Sequence, residues 1–340
     1  MKRYSAEFKQ IIEELGSSKA SVRAQAGEDF AVAVREPIRE AVFDCDIASM
    51  IFAPEEFDRR CPVRYQLDIV QPGKEKDYTA FAIPACTSMP RCYVESDYVM
   101  LPTYRIGNCM EWCDEHARDA HYNMFNQVVK YFRRGFVKKL NDDAWRLIIA
   151  AALDRNMVVY DDQAAPGQFT KRLLSLMKLA MKRNNGGNNQ ACEDACRLTD
   201  LFISVEAEED MLNWGLDQVS DITRARIFET CDGLTRIFCV NLHPLTELGV
   251  GQEYQLLYEN ELNGVLPGPA NTTPPLAEAK REIVVGMCLN NREDVFVMPV
   301  KDEMSMTNYQ CPQEGISGIR GSMEIGLGIL DGRALILGAM

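Results

Sequence analysis

The sequence predicts an α+β protein, and three observations predict it. Apolar residues recur at helical spacing in several runs of the first half. A strictly alternating run occupies residues 63–69. From Leu198 onward short strand patterns and short helical patterns are mixed, and an alternating run closes the sequence. The 340 residues are 46% hydrophobic, ample for a large core or two to three subdomains without disulfide staples.

The elements follow in order. Tyr4, Phe8, Ile11, Ile12 and Leu15 share a helical stripe, and Gly16 is a natural stop. A second helical run begins near Ser21 with Val22, Ala26 and Phe30, and Pro37 is expected to interrupt it. An apolar-striped N-terminal segment has to dock on its own core or on a neighbour. Val63, Tyr65, Leu67 and Ile69 alternate with Arg64, Gln66 and Asp68. Gln71–Asp77 is a polar turn carrying Lys74, Glu75, Lys76 and Asp77, and Tyr78–Ile83 reads as the returning strand. A third extended run is expected at Tyr98–Ile106. A hairpin this long needs a surface to lie on.

A long helix is expected from Trp112, with Met124, Val128, Phe132, Phe136 and Leu140 on a four-residue beat. Asn141-Asp142-Asp143 reads as a break before an apolar helix at Ala144–Leu153. Val158–Tyr160 is a short strand. Thr170–Arg183 is a helix with basic residues in its last turn. Asn184–Asn189 and Gly264–Pro275 are loops. Strands are expected at Leu201–Val205, Ile237–Val240, Tyr254–Tyr258, Ile283–Leu289 and Val295–Val300, with a short helix at Glu208–Trp214. Met323 to Ile329 and Ala334–Leu337 read as a closing hairpin around Asp331-Gly332.

Composition excludes several classes. A net charge of −13 argues against gripping nucleic acid through its phosphates. No apolar stretch is long enough to cross a bilayer, and charges recur where a signal peptide needs its apolar region. A soluble compartment is expected. The twelve cysteines, at 45, 61, 86, 92, 109, 113, 192, 196, 231, 239, 288 and 311, are too irregular for a disulfide scaffold and read as reduced thiols. No nucleophile elbow or phosphate loop is present. Gly326-Leu327-Gly328 and Gly249-Val250-Gly251 lack the context of a dinucleotide site. Asp161-Asp162 and Glu208-Glu209-Asp210 are consecutive and read as caps or solvated faces. No catalytic residue and no cofactor is expected. The one metal-competent group is Cys109, Cys113, His116 and His121. On a helix reaching back to 109, the first three would share a face, as a zinc-dependent cytosolic enzyme would need. The spacing is not that of a standard finger or ribbon. The Cys192/Cys196 pair lacks a redox spacing.

The order of these elements resembles the Hong Kong 97 type fold of tailed-bacteriophage major capsid proteins, a fold shared with encapsulins. The resemblance implies an N-terminal arm at 1–55, an E-loop at 56–106, a spine helix (112–155) and P-domain within 107–207, an A-domain at 208–320, and a C-terminal hairpin at 321–340. It implies a structural subunit, not an enzyme, that forms pentamers and hexamers of an icosahedral shell around double-stranded DNA without binding it specifically. Contacts between subunits would come from Arg64, Gln66, Asp68, Lys74, Glu75, Lys76 and Asp77 of the E-loop, and from Tyr4, Phe8, Ile11 and Leu15 of the arm. A separate scaffolding protein, a portal and a decoration protein are the implied partners, with no membrane. The virion is the implied location, reached from the host cytoplasm. An encapsulin-like compartment enclosing protein cargo is the alternative within the same fold. Lys74 and Lys76 sit where some members crosslink, but no partner asparagine can be named, and no crosslink is expected.

Overall fold

The computed structural model describes residues 10–11, 14–15, 17, 19–44, 47–67, 97–113, 122–154, 157–183, 197–214, 236–262, 282–290, 292–311, 313 and 315–340. Helices combine with mixed sheets, as the α+β reading expects. The chain divides into two compact units. One holds residues 1–64, 100–144 and 297–328, and the other holds 65–99, 145–296 and 329–340.

In the first unit, helix α1 (Ala20–Asp44) is followed by α2 (Ile47–Ile51), β1 (Ala53–Glu56) and β4 (Tyr104–Cys113). The main strands are β10 (Phe296–Cys311) and β11 (Ile316–Ile325), in the sheet order β1-β10-β11-β4. The short β12 (Gly328–Ile329) pairs with β10. α1 buries Ala26, Phe30, Val34 and Ile38, and Phe30 stands edge-on to Trp112 of β4 at 6.1 Å. The expected interruption at Pro37 does not occur, for the helix runs through it. Proline removes one helical donor at about 3 kcal/mol, and the stripe buried on both sides of it offsets that loss.

Helix α3 (Tyr122–Asp154) has 33 residues and starts ten residues later than Trp112, because residues 104–113 are strand. The expected break at Asn141–Asp143 is also absent. Asn141 Oδ1 accepts from the Ala48 N–H at 3.1 Å, and Asp143 accepts from Lys139 Nζ at 2.7 Å and Tyr104 OH at 2.9 Å. These polar side chains bind other elements and leave the helix backbone intact. Arg39 pairs with Glu303 at 2.8 Å and Arg59 with Asp302, tying residues before the sheet to β10.

Gly321 of β11 faces Phe132 of α3, and a Cβ there would lie 2.5 Å from the ring. Phe132 is fully buried and its ring cannot fold away. Gly321→Val should therefore cost about 1–3 kcal/mol from overpacking. A fall in the denaturant midpoint reads this out, and an unchanged midpoint would mean the helix can shift.

The second unit is built on a six-stranded sheet. Its strands are β5 (Val158–Tyr160), β6 (Asp200–Ser204), β7 (Arg236–Ile237), β8 (Val240–Leu245), β9 (Ile283–Met287) and β13 (Leu335–Ala339), ordered β5-β13-β9-β6-β8-β7. Helices α4 (Lys171–Arg183), α5 (Val205–Leu212) and α6 (Glu253–Leu262) complete it, with the single turn α7 (Arg292–Val295) leading into β10. α4 lays Leu173 and Met177 on the face where Gly286 and Gly338 leave room. Leu201 shares that face as the cross-strand partner of Gly286, so the next residue, Phe202, points to the opposite face. There Trp145, in the last turns of α3, stands edge-on to Phe202 at 5.4 Å and stacks on Tyr254 of α6 at 5.1 Å.

Three expected elements are corrected here. Tyr254–Tyr258 is helix, with both tyrosines buried one turn apart. Ile237–Val240 is a tight hairpin turn, with Phe238 and Cys239 at φ 46° and 65°. Two consecutive left-handed residues suit a type I′ connection. The closing hairpin of 321–340 does not form. β13 lies between β5 and β9, while Asp331 has extended φ/ψ of −121° and 101° and caps a 3-10 turn at Gly332–Ala334.

Candidate interaction surfaces

β2 (Arg64–Leu67) and β3 (Asp97–Met100) form a two-stranded ribbon that pairs with no other described strand. Its base is anchored. Val63 is buried, and its carbonyl accepts from the Leu101 N–H at 3.2 Å. Beyond the base, Arg64 and Gln66 are exposed, and Tyr98 and Met100 each stand 64% exposed. Two large apolar side chains in water on a ribbon with no third strand are a surface suited to a partner. Asp68, Lys74, Glu75, Lys76, Asp77 and the returning strand at 78–83 lie outside the described residues.

Of the N-terminal stripe, Ile11 and Leu15 are helical, and Tyr4 and Phe8 lie outside the described residues. Leu15 is buried within its own chain and Ile11 is half-buried.

The premise of the zinc reading is overturned. Cys109 and Cys113 lie on strand β4, not on a helix. Four residues along a strand separate their Cα atoms by roughly 13 Å, too far for one ion. Burial, with the nearby Glu111 carboxylate, pushes the Cys109 thiol above its ordinary value, away from the thiolate that binds metal. His116, His121, Cys192 and Cys196 lie outside the described residues.

A polar cluster that sequence reasoning missed joins three strands of the second sheet. Asp200 accepts from His243 Nε2 at 2.9 Å, Asn241 Nδ2 at 3.0 Å and Thr199 Oγ1 at 2.6 Å. The Thr199 oxygen accepts from the Leu289 N–H at 2.8 Å. Parallel pairing of β6 with β8 places Asn241 beside Asp200, and His243 stacks on Phe202. No hydroxyl or thiol of the described residues is hydrogen-bonded to His243, and the cluster clasps the neighbouring segments together. No motif marks it, since strand register alone brings residues so distant in sequence together.

Burial alone would raise the Asp200 carboxyl. The hydrogen bonds from His243, Thr199 and Asn241, with the His243 charge, outweigh burial and hold it below its ordinary value. A depressed carboxyl stabilises the fold above its unfolded value and loses that contribution as pH falls through the folded one. Asp200→Asn should cost about 1–3 kcal/mol near neutrality and lose less than the parent as pH is lowered. Melting curves between about pH 7 and pH 3 check this, and parallel losses in the two proteins would count against it.

Glu282 is buried beside Ser204. Burial, with the Glu206 and Asp210 charges, raises its carboxyl despite a hydrogen bond with Ser204. Among the described residues no three histidine, cysteine, aspartate or glutamate side chains are placed to hold a metal ion.

No protein-family model and no curated protein matches the chain. Solved structures do. A chain of the bacteriophage PhiM1 mature capsid is 10% identical, with 86% of each chain covered and a TM-score of 0.52. A chain of the cyanophage P-SCSP1u capsid is 10% identical, covering 85% of this chain and 86% of that one at a TM-score of 0.55. One from the cyanophage Pam1 capsid is 9% identical, at 85% and 87% coverage and a TM-score of 0.51. The likeness is one of fold, and the chain has the fold of these phage capsid chains.

Proposed function

We propose that this chain is the major capsid protein of a tailed bacteriophage, a non-enzymatic subunit that assembles into the icosahedral shell around the genome. One observation carries the reading. The fold likeness to phage capsid chains runs over most of this chain and of theirs.

In this reading the ribbon is the E-loop and lies across an adjacent subunit. Arg64, Gln66 and Asp68 flank the contact, and Lys74, Glu75, Lys76 and Asp77 set its register. The N-terminal segment adds a second contact through Tyr4, Phe8 and Ile11. Leu15, already covered, anchors the segment to its own chain. Each contact is heterologous, so repetition closes rings, and rings close a shell. Many weak contacts per subunit act together. A separate scaffolding protein, a portal and a decoration protein are the proposed partners. The virion is the final location, with assembly in the host cytoplasm.

The test is to express the chain alone and with a scaffolding protein, then image the size-exclusion fractions by negative stain. Closed particles, rings or tubes are expected. A monomer or dimer under both conditions would overturn the reading.

A further inference from the structure

Two helices on opposite faces of one sheet in the second unit carry opposite charge. α4, over the Gly286–Gly338 face, holds five basic side chains and no acidic one. α6, over the Phe202–Trp145 face, holds three acidic side chains and no basic one. Each helix also leaves one leucine in water, Leu179 at 45% and Leu256 at 47% exposure. The basic end of α4 is available. Arg172 is taken up by Asp161 and Asp162 and Lys178 by the Phe238 carbonyl, whereas Lys182 and Arg183 are exposed and form no ion pair among the described residues. On the other face Glu253 is exposed. Glu247, whose carbonyl accepts from the Tyr254 N–H, adds a second exposed carboxylate.

We propose that the α4 face of one copy docks on the α6 face of the next copy of this chain, Lys182 and Arg183 meeting Glu247 and Glu253 around the two exposed leucines. The inference rests on the shell reading and names one of its lateral contacts. Charge complementarity selects the occupant. A chain of net charge −13 repels a polyanion as a whole, while its own acidic helix is opposite in sign to the basic one and, like it, exposes a leucine. A contact between unlike faces repeats head to tail, as a ring requires. Like charges brought together at such a contact exclude it.

The test is charge reversal in the full chain. Lys182→Glu with Arg183→Glu puts acidic side chains on both sides of the proposed contact, and Glu247→Lys with Glu253→Lys puts basic ones on both. Each two-site variant should lower the yield of sedimenting particles at least about tenfold while keeping the parent's circular dichroism. Combining all four substitutions in one chain should restore particles, and mixing the two variants should restore even-numbered rings or tubes, in which the faces alternate. If the four-site chain fails to fold, the mixture decides alone. Particle yields unchanged in the two-site variants, or no rescue by the mixture, overturn the contact while a normally assembling parent leaves the shell reading standing. A parent that never assembles overturns both. Normal particles of the Lys182→Glu, Arg183→Glu variant that lose nuclease-protected DNA would assign α4 to nucleic acid and overturn the contact.

Discussion

Trp145→Ala is expected to destabilise the chain by about 3–5 kcal/mol. The indole is fully buried and touches two aromatic rings at once, Tyr254 stacked and Phe202 edge-on. Removing it leaves a cavity between helix and sheet that rigid rings cannot collapse to fill. Trp145→Phe separates shape from polarity. It keeps most of the stack and removes an indole N–H that has no acceptor among the described residues, so its cost should be clearly smaller. Calorimetric melting of the three proteins reads the order parent, phenylalanine, alanine. An alanine variant within about 1 kcal/mol of the parent would mean that the layer is not packed as described.

The second large effect concerns assembly. Deleting residues 71–77 should leave a chain that melts like the parent yet forms no closed particles. The expectation comes from the ribbon, whose Tyr98 and Met100 stand in water with no third strand among the described residues to cover them. Shortening this segment is expected to remove reach and register from that surface. Electron micrographs showing normal shells from the deletion would remove the ribbon from the account of assembly.

Much of the fold was legible because burial is periodic. α4 buries Leu173, Leu174, Met177 and Met181, the stripe its spacing predicts, and β6 is the apolar run at Leu201–Val205 displaced by one residue. The errors share a cause. Asn141 and Pro37 look like breaks because their local preference is to end helices, and tertiary contacts outweigh that preference. Tyr254 and Tyr258 sit four apart in an aromatic-rich run, so strand composition masked a helical period. In β4 the alternation of Ile106, Met110 and Trp112 was present, but neighbouring cysteines and histidines drew attention to a helical metal face. Of the candidate contact residues, Arg64 and Gln66 were legible as the outward positions of an alternating strand. The Asp200–His243 clasp was not, because nothing local encodes the parallel register that makes it. The facing charges of α4 and α6 were readable as composition, but only the sheet's alternation places them on opposite sides.

The position of β13 has a consequence for biosynthesis. It is the last of the six strands in sequence, yet it occupies the interior of the sheet, between β5 and β9. While the polypeptide is still being translated, β5 lacks its one partner among the described strands, and the edge of β9 that β13 will take stays open. Residues 335–339 must therefore leave the ribosome before this half can fold, since contacts so distant in sequence form late. A nascent chain is thereby kept from presenting its finished surfaces until its synthesis has passed that point.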